Sequence, residues 1–259
     1  MNSRKSSKDY WDDNWRRAGA GLKSDGEKNF FKKRLDRALK SVFSVLDSHS
    51  LNLIEIGAGA SEWLPWLHGD YSFNVSGIDY SEEGCERARK ILGDAGISGR
   101  IWLGDMFSPP DELLKRFDVA CSFGLVEHFS DTAGAISACS RFVVPGGIVV
   151  TLIPNMTGLN GLLYKTLNRR VFDTHLPLSL DELKQAHIHA GLKPYFSCHL
   201  LSLPAVIDLN RHEPNALRSR IRKLAHHISR LVWWLEDKGI GIPENRLTSP
   251  YMLCAAKVP

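Results

Sequence analysis

A chain of 259 residues, 43% apolar and 24% charged with a formal net charge of +4, suits one generous domain or a core with appendages. That composition excludes a disordered chain and carries no global sign of a nucleic-acid binder. The five cysteines, Cys85, Cys121, Cys139, Cys198 and Cys254, follow no Cys-x-x-Cys spacing, so they read as reduced, mostly buried thiols of a cytoplasmic protein, and no metal is expected. No run approaches the roughly 20 apolar residues of a membrane span, and the basic N-terminus lacks the apolar segment of a secretory signal.

Residues 1–48 hold two helical patterns separated at Gly19-Ala20-Gly21. They form an N-terminal helical lid ahead of a core over 49–259. The first pattern sets Trp11 and Trp15 four apart on one face, with Tyr10 beside them. In the second, Phe31, Leu35, Leu39, Val42, Phe43 and Leu46 make an amphipathic stripe that should lie on a core. Met1 to Lys40 carries twelve Lys or Arg against six Asp or Glu.

An alternation follows: strand 51–56, helix 61–67, strand 73–78, helix 81–94, strands 100–103 and 117–122, helix 131–142, strand 148–153. Helical segments between short apolar strands imply right-handed crossovers and an α/β fold, a mainly parallel sheet with helices on both faces. Beyond Pro154 come a loop and short helix over 155–168, then a helix begun by Ser179 as N-cap and ending near Gly191. Strands at 195–203 and 251–258 complete seven. Between these last two lies a helical insertion at about 204–250, with Leu217, Ile221, Leu224, Ile228, Leu231, Val232 and Leu235 in its helix.

The chemistry concentrates where the first strand meets a glycine-rich turn, Glu55-Ile56-Gly57-Ala58-Gly59-Ala60-Ser61. Gly57 and Gly59 let backbone approach a ligand. Glu62 stands where the dinucleotide fingerprint needs its third Gly, and no Gly-Lys-Ser/Thr follows, so pyrophosphate is disfavoured. A carboxylate at Glu55 repels phosphate and favours a cationic ligand. Asp79 ends the second strand, where an acid accepts from both hydroxyls of a ribose.

With those residues in place, the chain resembles the class I, Rossmann-like S-adenosylmethionine-dependent methyltransferases of small-molecule type. Their acid-x-Gly-x-Gly-x-Gly motif is matched from Glu55 except at its last position, where Ser61 either narrows the loop or caps the next helix. The resemblance implies that Glu55, Gly57, Ala58 and Gly59 line the methionine end of S-adenosyl-L-methionine. Asp79, with Tyr80 beside it, holds the ribose, Asp105 and Met106 meet the adenine, and carbonyls near Ser122 and Phe123 accept from the amine. Phe117 through Phe129, containing the Glu127-His128 pair, resembles the family's fourth-strand motif, and Val144-Pro145-Gly146-Gly147 its next turn. The product is S-adenosyl-L-homocysteine.

The acceptor is expected to be a small molecule, a metabolite or natural product methylated at oxygen or nitrogen. His128 is the candidate base, against a purely structural Glu-His pair, and His175 is a second candidate. Tyr10, Trp11 and Trp15 either close over cofactor and acceptor or staple the first helix. Trp233 and Trp234 read as packing core rather than pocket lining, and His226 and His227 as solvated. The Arg218 to Lys223 stretch is a solvated helix face or attracts an anionic acceptor or a membrane surface. Nucleic acid is not expected as a partner, and the chain is a monomer or homodimer. A nicotinamide-dependent oxidoreductase and a non-catalytic S-adenosylmethionine-binding protein are the competing readings.

Overall fold

The computed structural model describes residues 4–17, 25–46, 51–202, 216–241 and 243–259. The expected break at Gly19-Ala20-Gly21 and the start of the insertion at Pro204 lie outside them, as do the side chains of Leu217, Arg218, Ile221 and His226.

Seven strands form one sheet, β1 Asn52–Ile56, β2 Asn74–Asp79, β3 Arg100–Leu103, β4 Phe117–Phe123, β5 Val143–Pro154, β6 Lys193–Leu200 and β7 Tyr251–Lys257. Their order is β3-β2-β1-β4-β5-β7-β6. The pairs among β1 to β5 are parallel, while β7 runs antiparallel to both β5 and β6. The strand order reverses between β1 and β4, and open α/β sheets bind ligands at the carboxyl edge of such a switch point.

Alternate side chains of each strand enter opposite layers. Leu53, Val119, Cys121, Ile148, Val150 and Leu253 face one core, shared with helices α2 Asp25–Phe43, α3 Trp63–Tyr71 and α4 Glu82–Asp94. Ile54, Ala120, Val149, Cys254 and Ala256 face the other, with α5 Thr132–Ser140 and, later in the chain, α8 Leu180–His189. The stripe expected on α2 is realised: Leu35, Leu39 and Val42 are fully buried, each such burial contributing about 1.5–3 kcal/mol. Preceding α2, α1 Lys8–Arg17 lies across the sheet's carboxyl edge against α4.

Two boundaries differ from the sequence reading. The turn expected at Pro145-Gly146-Gly147 falls inside β5, where the β4–β5 register shifts between Phe117 and Val119 and Gly146 takes a left-handed φ of 83°. A bulge absorbs the extra residues without ending the strand. The short helix expected over 155–168 is α6 Leu159–Leu167, followed by a single-turn α7 Arg169–Asp173. As expected, Ser179 caps α8, here in a reciprocal capping box with Glu182, which satisfies two otherwise orphaned amides. The last helix, α9 Ala216–Asp237, sits within the insertion. Its Trp233 is buried and stacks on Phe30 at 4.8 Å, whereas Trp234 is 57% exposed. His227 is exposed. Among the described residues no helix is long and apolar enough to cross a membrane.

Candidate functional site

The glycine turn is shaped by its own backbone. Amides of Gly57 and Ala58 both donate to the Ile78 carbonyl (2.9 and 3.1 Å), which folds the end of β1 over β2. Gly57 sits at φ 80°, a left-handed conformation that glycine adopts without steric cost. At Gly59 a Cβ would lie 2.7 Å from Trp15 Nε1 and 2.9 Å from Asp79 Oδ2, so the absence of a side chain is what lets α1 and Asp79 close on the turn.

Three acids mark this edge, each in a different environment. Glu55 is buried and accepts a hydrogen bond from the Ser61 hydroxyl. Ser61 also accepts from the Trp63 and Leu64 amides (3.1 and 3.3 Å), so the departure from the glycine motif both caps α3 and partners the buried acid. Burial pushes the Glu55 carboxyl up to about 8, against the lowering effect of Ser61 and with a further rise from Asp79. Asp79 accepts from the amides of Gly59 (2.8 Å) and Ser81 (2.7 Å). Burial still raises it to about 6, because the two amides offset only part of the desolvation. Asp105 is half-exposed.

Between these acids lies a cleft lined by Ile56, Gly57, Ile78, Asp79, Tyr80, Gly104, Asp105, Met106, Leu125, Phe129 and Arg4. Gly57, Asp79, Tyr80, Asp105 and Met106 thus converge as the sequence suggests. The other expected cofactor residues lie off the cleft: Glu55 and the fully buried Ala58 beneath the turn, Gly59 under Trp15, Phe123 against Trp63 at 5.6 Å. The buried Ser122 hydroxyl has no hydrogen-bond partner among the described residues. Carboxylates above an apolar floor of Ile56, Ile78, Leu125 and Phe129 suit a nucleoside, with polar groups for its hydroxyls and amine and flat apolar surface for its base.

Arg4 is a charged lining residue that no motif or spacing in the sequence singles out. Its guanidinium pairs with Asp105 at 2.5 Å and lies 4.7 Å from the Tyr80 ring centroid, combining ion pairing with a cation–π contact. Around it the N-terminal segment is tied down: the Lys5 amide donates to the His128 carbonyl (2.8 Å), and Ser81 Oγ donates to Asp12 (2.5 Å).

A second group forms past the end of β4, where the 3₁₀ turn Val126–His128 carries the Glu-His pair. His128 packs edge-on against Trp11 at 5.1 Å and 4.6 Å from the His175 ring, and Trp11 stacks on Trp15 at 5.9 Å. Tyr10 meets Trp11 edge-on. Tyr10, Trp11, Trp15, His128 and His175 therefore gather beside the cleft. Burial, reinforced by His175, lowers His128 to about 3, and burial also lowers His175. Both imidazoles are neutral at physiological pH, and His128 is a far weaker proton acceptor than an ordinary histidine. No metal is expected from the sequence, yet Glu127, His128 and His175 each bring a ligating atom within 4.8 Å of the others.

An open, mostly parallel α/β sheet with acids arrayed around a cleft at its switch point defines a Rossmann-like protein with the ligand edge of a nucleoside-binding fold. The model of the methyltransferase domain family matches residues 11–195, more than half of the chain. The chain therefore belongs to that family, whose members are class I S-adenosylmethionine-dependent methyltransferases. It is 32% identical over 97 residues to the ubiquinone biosynthesis O-methyltransferase of Thiobacillus denitrificans, covering 38% of this chain and 41% of that one. With EEF1A lysine methyltransferase 2 of Danio rerio it shares 28% identity over 132 residues, 49% of this chain and 56% of the other. The chain thus spans about half the length of these curated relatives. Haemonchus contortus phosphoethanolamine N-methyltransferase 2, solved with S-adenosyl-L-methionine, superposes with a TM-score of 0.59 at 16% identity, over 96% of this chain and 58% of that one. That likeness is one of fold.

Proposed function

We propose that this protein transfers a methyl group from S-adenosyl-L-methionine to an oxygen or nitrogen of a small-molecule acceptor. The observation that carries the reading is the convergence of Gly57, Asp79, Tyr80, Asp105 and Met106 on one cleft at the switch point, in a chain of the methyltransferase-domain family. Asp79 would hold the ribose hydroxyls and Asp105 with Met106 the adenine, while Glu55 and the carbonyls near Ser122 and Phe123 compensate the cationic methionine end. Bound there, the cofactor supplies an electrophilic methyl group on a sulfonium.

The protein's own part is alignment and exclusion of water, which supply roughly 7–11 kcal/mol when reacting groups are well oriented. The 4–17 segment serves this as a lid, because it already lies over the turn, the cleft and His128. Arg4 must leave Asp105 before adenine can reach that carboxylate, so the segment opens for the cofactor and closes again with Trp11 and Trp15 over the acceptor. A small-molecule acceptor is favoured by the likeness to ubiquinone biosynthesis O-methyltransferases. A nicotinamide reading is disfavoured by the acid at Glu55 and by Glu62 where the dinucleotide fingerprint has glycine.

Incubating the purified protein with S-adenosyl-L-methionine and fractionated cell extract should give a metabolite heavier by one methyl group, together with S-adenosyl-L-homocysteine. Labelling confined to the protein or RNA fraction would refute the small-molecule acceptor.

A further inference from the structure

The Glu127 side chain is 1% exposed or less, and neither of its carboxylate oxygens has a hydrogen-bond partner among the described residues. A buried acid without a donor is costly, and the groups that face it are not donors. His128 Nδ1 contacts the Thr174 carbonyl at 2.7 Å and His175 Nδ1 the Val171 carbonyl at 2.7 Å. Carbonyls only accept, so each ring carries its proton on Nδ1 and keeps the Nε2 lone pair free. His128 Nε2 lies 3.9 Å from Glu127 Oε1. Backbone bonds fix the two segments together, since the Leu176 amide donates to the Glu127 carbonyl at 2.7 Å. Lys5 Nζ donates to the His175 carbonyl (3.0 Å).

A carboxyl group without a donor among the described residues and one ring nitrogen from each of two histidines lie within 4.8 Å of one another. We propose that Glu127, His128 and His175 form a site for a first-row divalent transition-metal ion such as Zn²⁺. Two histidines and one glutamate are a ligand set that leaves coordination positions open, and imidazole with carboxylate suits zinc and its first-row neighbours better than calcium. The Nδ1–H···O=C bonds are the outer contacts that fix tautomer and ring orientation in metal-bound histidines.

Leu125 and Phe129, which flank the pair, line the cleft, so the site lies beside it. An acceptor hydroxyl bound to the ion would give up its proton to water near neutral pH, and His128 would act as a ligand rather than a base. This last step rests on the proposed methyltransferase activity; the metal site does not.

The test is a titration of EDTA-treated, dialysed full-length protein with Co²⁺, followed by visible ligand-field absorption, and with Zn²⁺ by calorimetry. One ion per chain is expected, with Zn²⁺ displacing Co²⁺. Glu127→Gln and His175→Ala should each weaken binding by at least the roughly 10–100-fold that loss of an outer-shell partner costs, while His189→Ala on the exposed end of α8 should not. Circular dichroism and S-adenosyl-L-homocysteine binding, followed in parallel, separate loss of the ion site from loss of fold or of the cofactor site. His175→Gln is the fallback should His175→Ala not fold. Absence of binding to the wild type, or binding unchanged in folded Glu127→Gln and His175 variants, would overturn the site.

Discussion

Glu55 and Glu127 are both buried glutamates at the carboxyl ends of neighbouring strands, and burial pushes both carboxyls up to about 8. Their surroundings differ. Glu55 receives a hydroxyl six residues away, from the same turn that wraps the cofactor cleft. Glu127 receives no hydrogen bond among the described residues, and the histidine that faces it from outside its own turn comes from residue 175. A buried acid with a local partner has its hydrogen bond supplied from within its own turn. One left bare, with lone pairs instead of donors around it, is a place for something the chain does not itself supply.

The contrast can be sharpened by substitution. The largest effect is expected at the turn: Gly57→Arg forces a side chain onto a φ of 80° with its Cβ 3.1 Å from Leu125, and should reduce cofactor binding beyond detection by calorimetry while the fold, read by circular dichroism, persists. Next comes the partner itself. Ser61→Ala leaves Glu55 as bare as Glu127 and removes a hydroxyl that accepts from two α3 amides, so denaturant unfolding should show a loss of about 1–3 kcal/mol.

The pH dependence follows from the same acids. Folded Glu55 keeps its proton up to about 8 and Asp79 to about 6, against ordinary values of 4.5 and 3.8. Across those windows the folded state binds more protons than the unfolded state. Their contribution to stability is thus fullest at the acid end and declines as pH rises from about 4 to 8. A cationic cofactor favours the ionised carboxylates, so its affinity should rise between pH 6 and 8 with proton release. Calorimetry in buffers of different ionisation enthalpy measures that release, and Glu55→Gln should diminish it. The smallest effect is expected at the N-terminal segment. Arg4→Ala breaks a partly exposed ion pair of roughly 0–1 kcal/mol, and stopped-flow binding should show cofactor association faster by up to about fivefold.

What the sequence disclosed was local in nature. The β1 turn, Asp79 at the end of β2, the α2 stripe and the Ser179 cap each rest on residues close together in the chain, so spacing and residue type carried the information. The Ser61 substitution was visible, but its bond to Glu55 needed the turn's geometry to settle between narrowing and capping. Arg4 meets Asp105 across 101 residues, and His175 faces Glu127 because the segment after α7 is bonded back to the 3₁₀ turn past β4 through the Leu176 amide. Neither pairing leaves a periodicity or motif. The bulge that keeps Pro145-Gly146-Gly147 inside β5 was hidden for the opposite reason, since its composition is that of a turn.

Titration of the intact protein with S-adenosyl-L-homocysteine, set beside NADH, tests the cofactor assignment most directly. One S-adenosyl-L-homocysteine bound per chain and no NADH is the expected result. Binding of NADH instead, or no binding of S-adenosyl-L-homocysteine by folded protein, would contradict it.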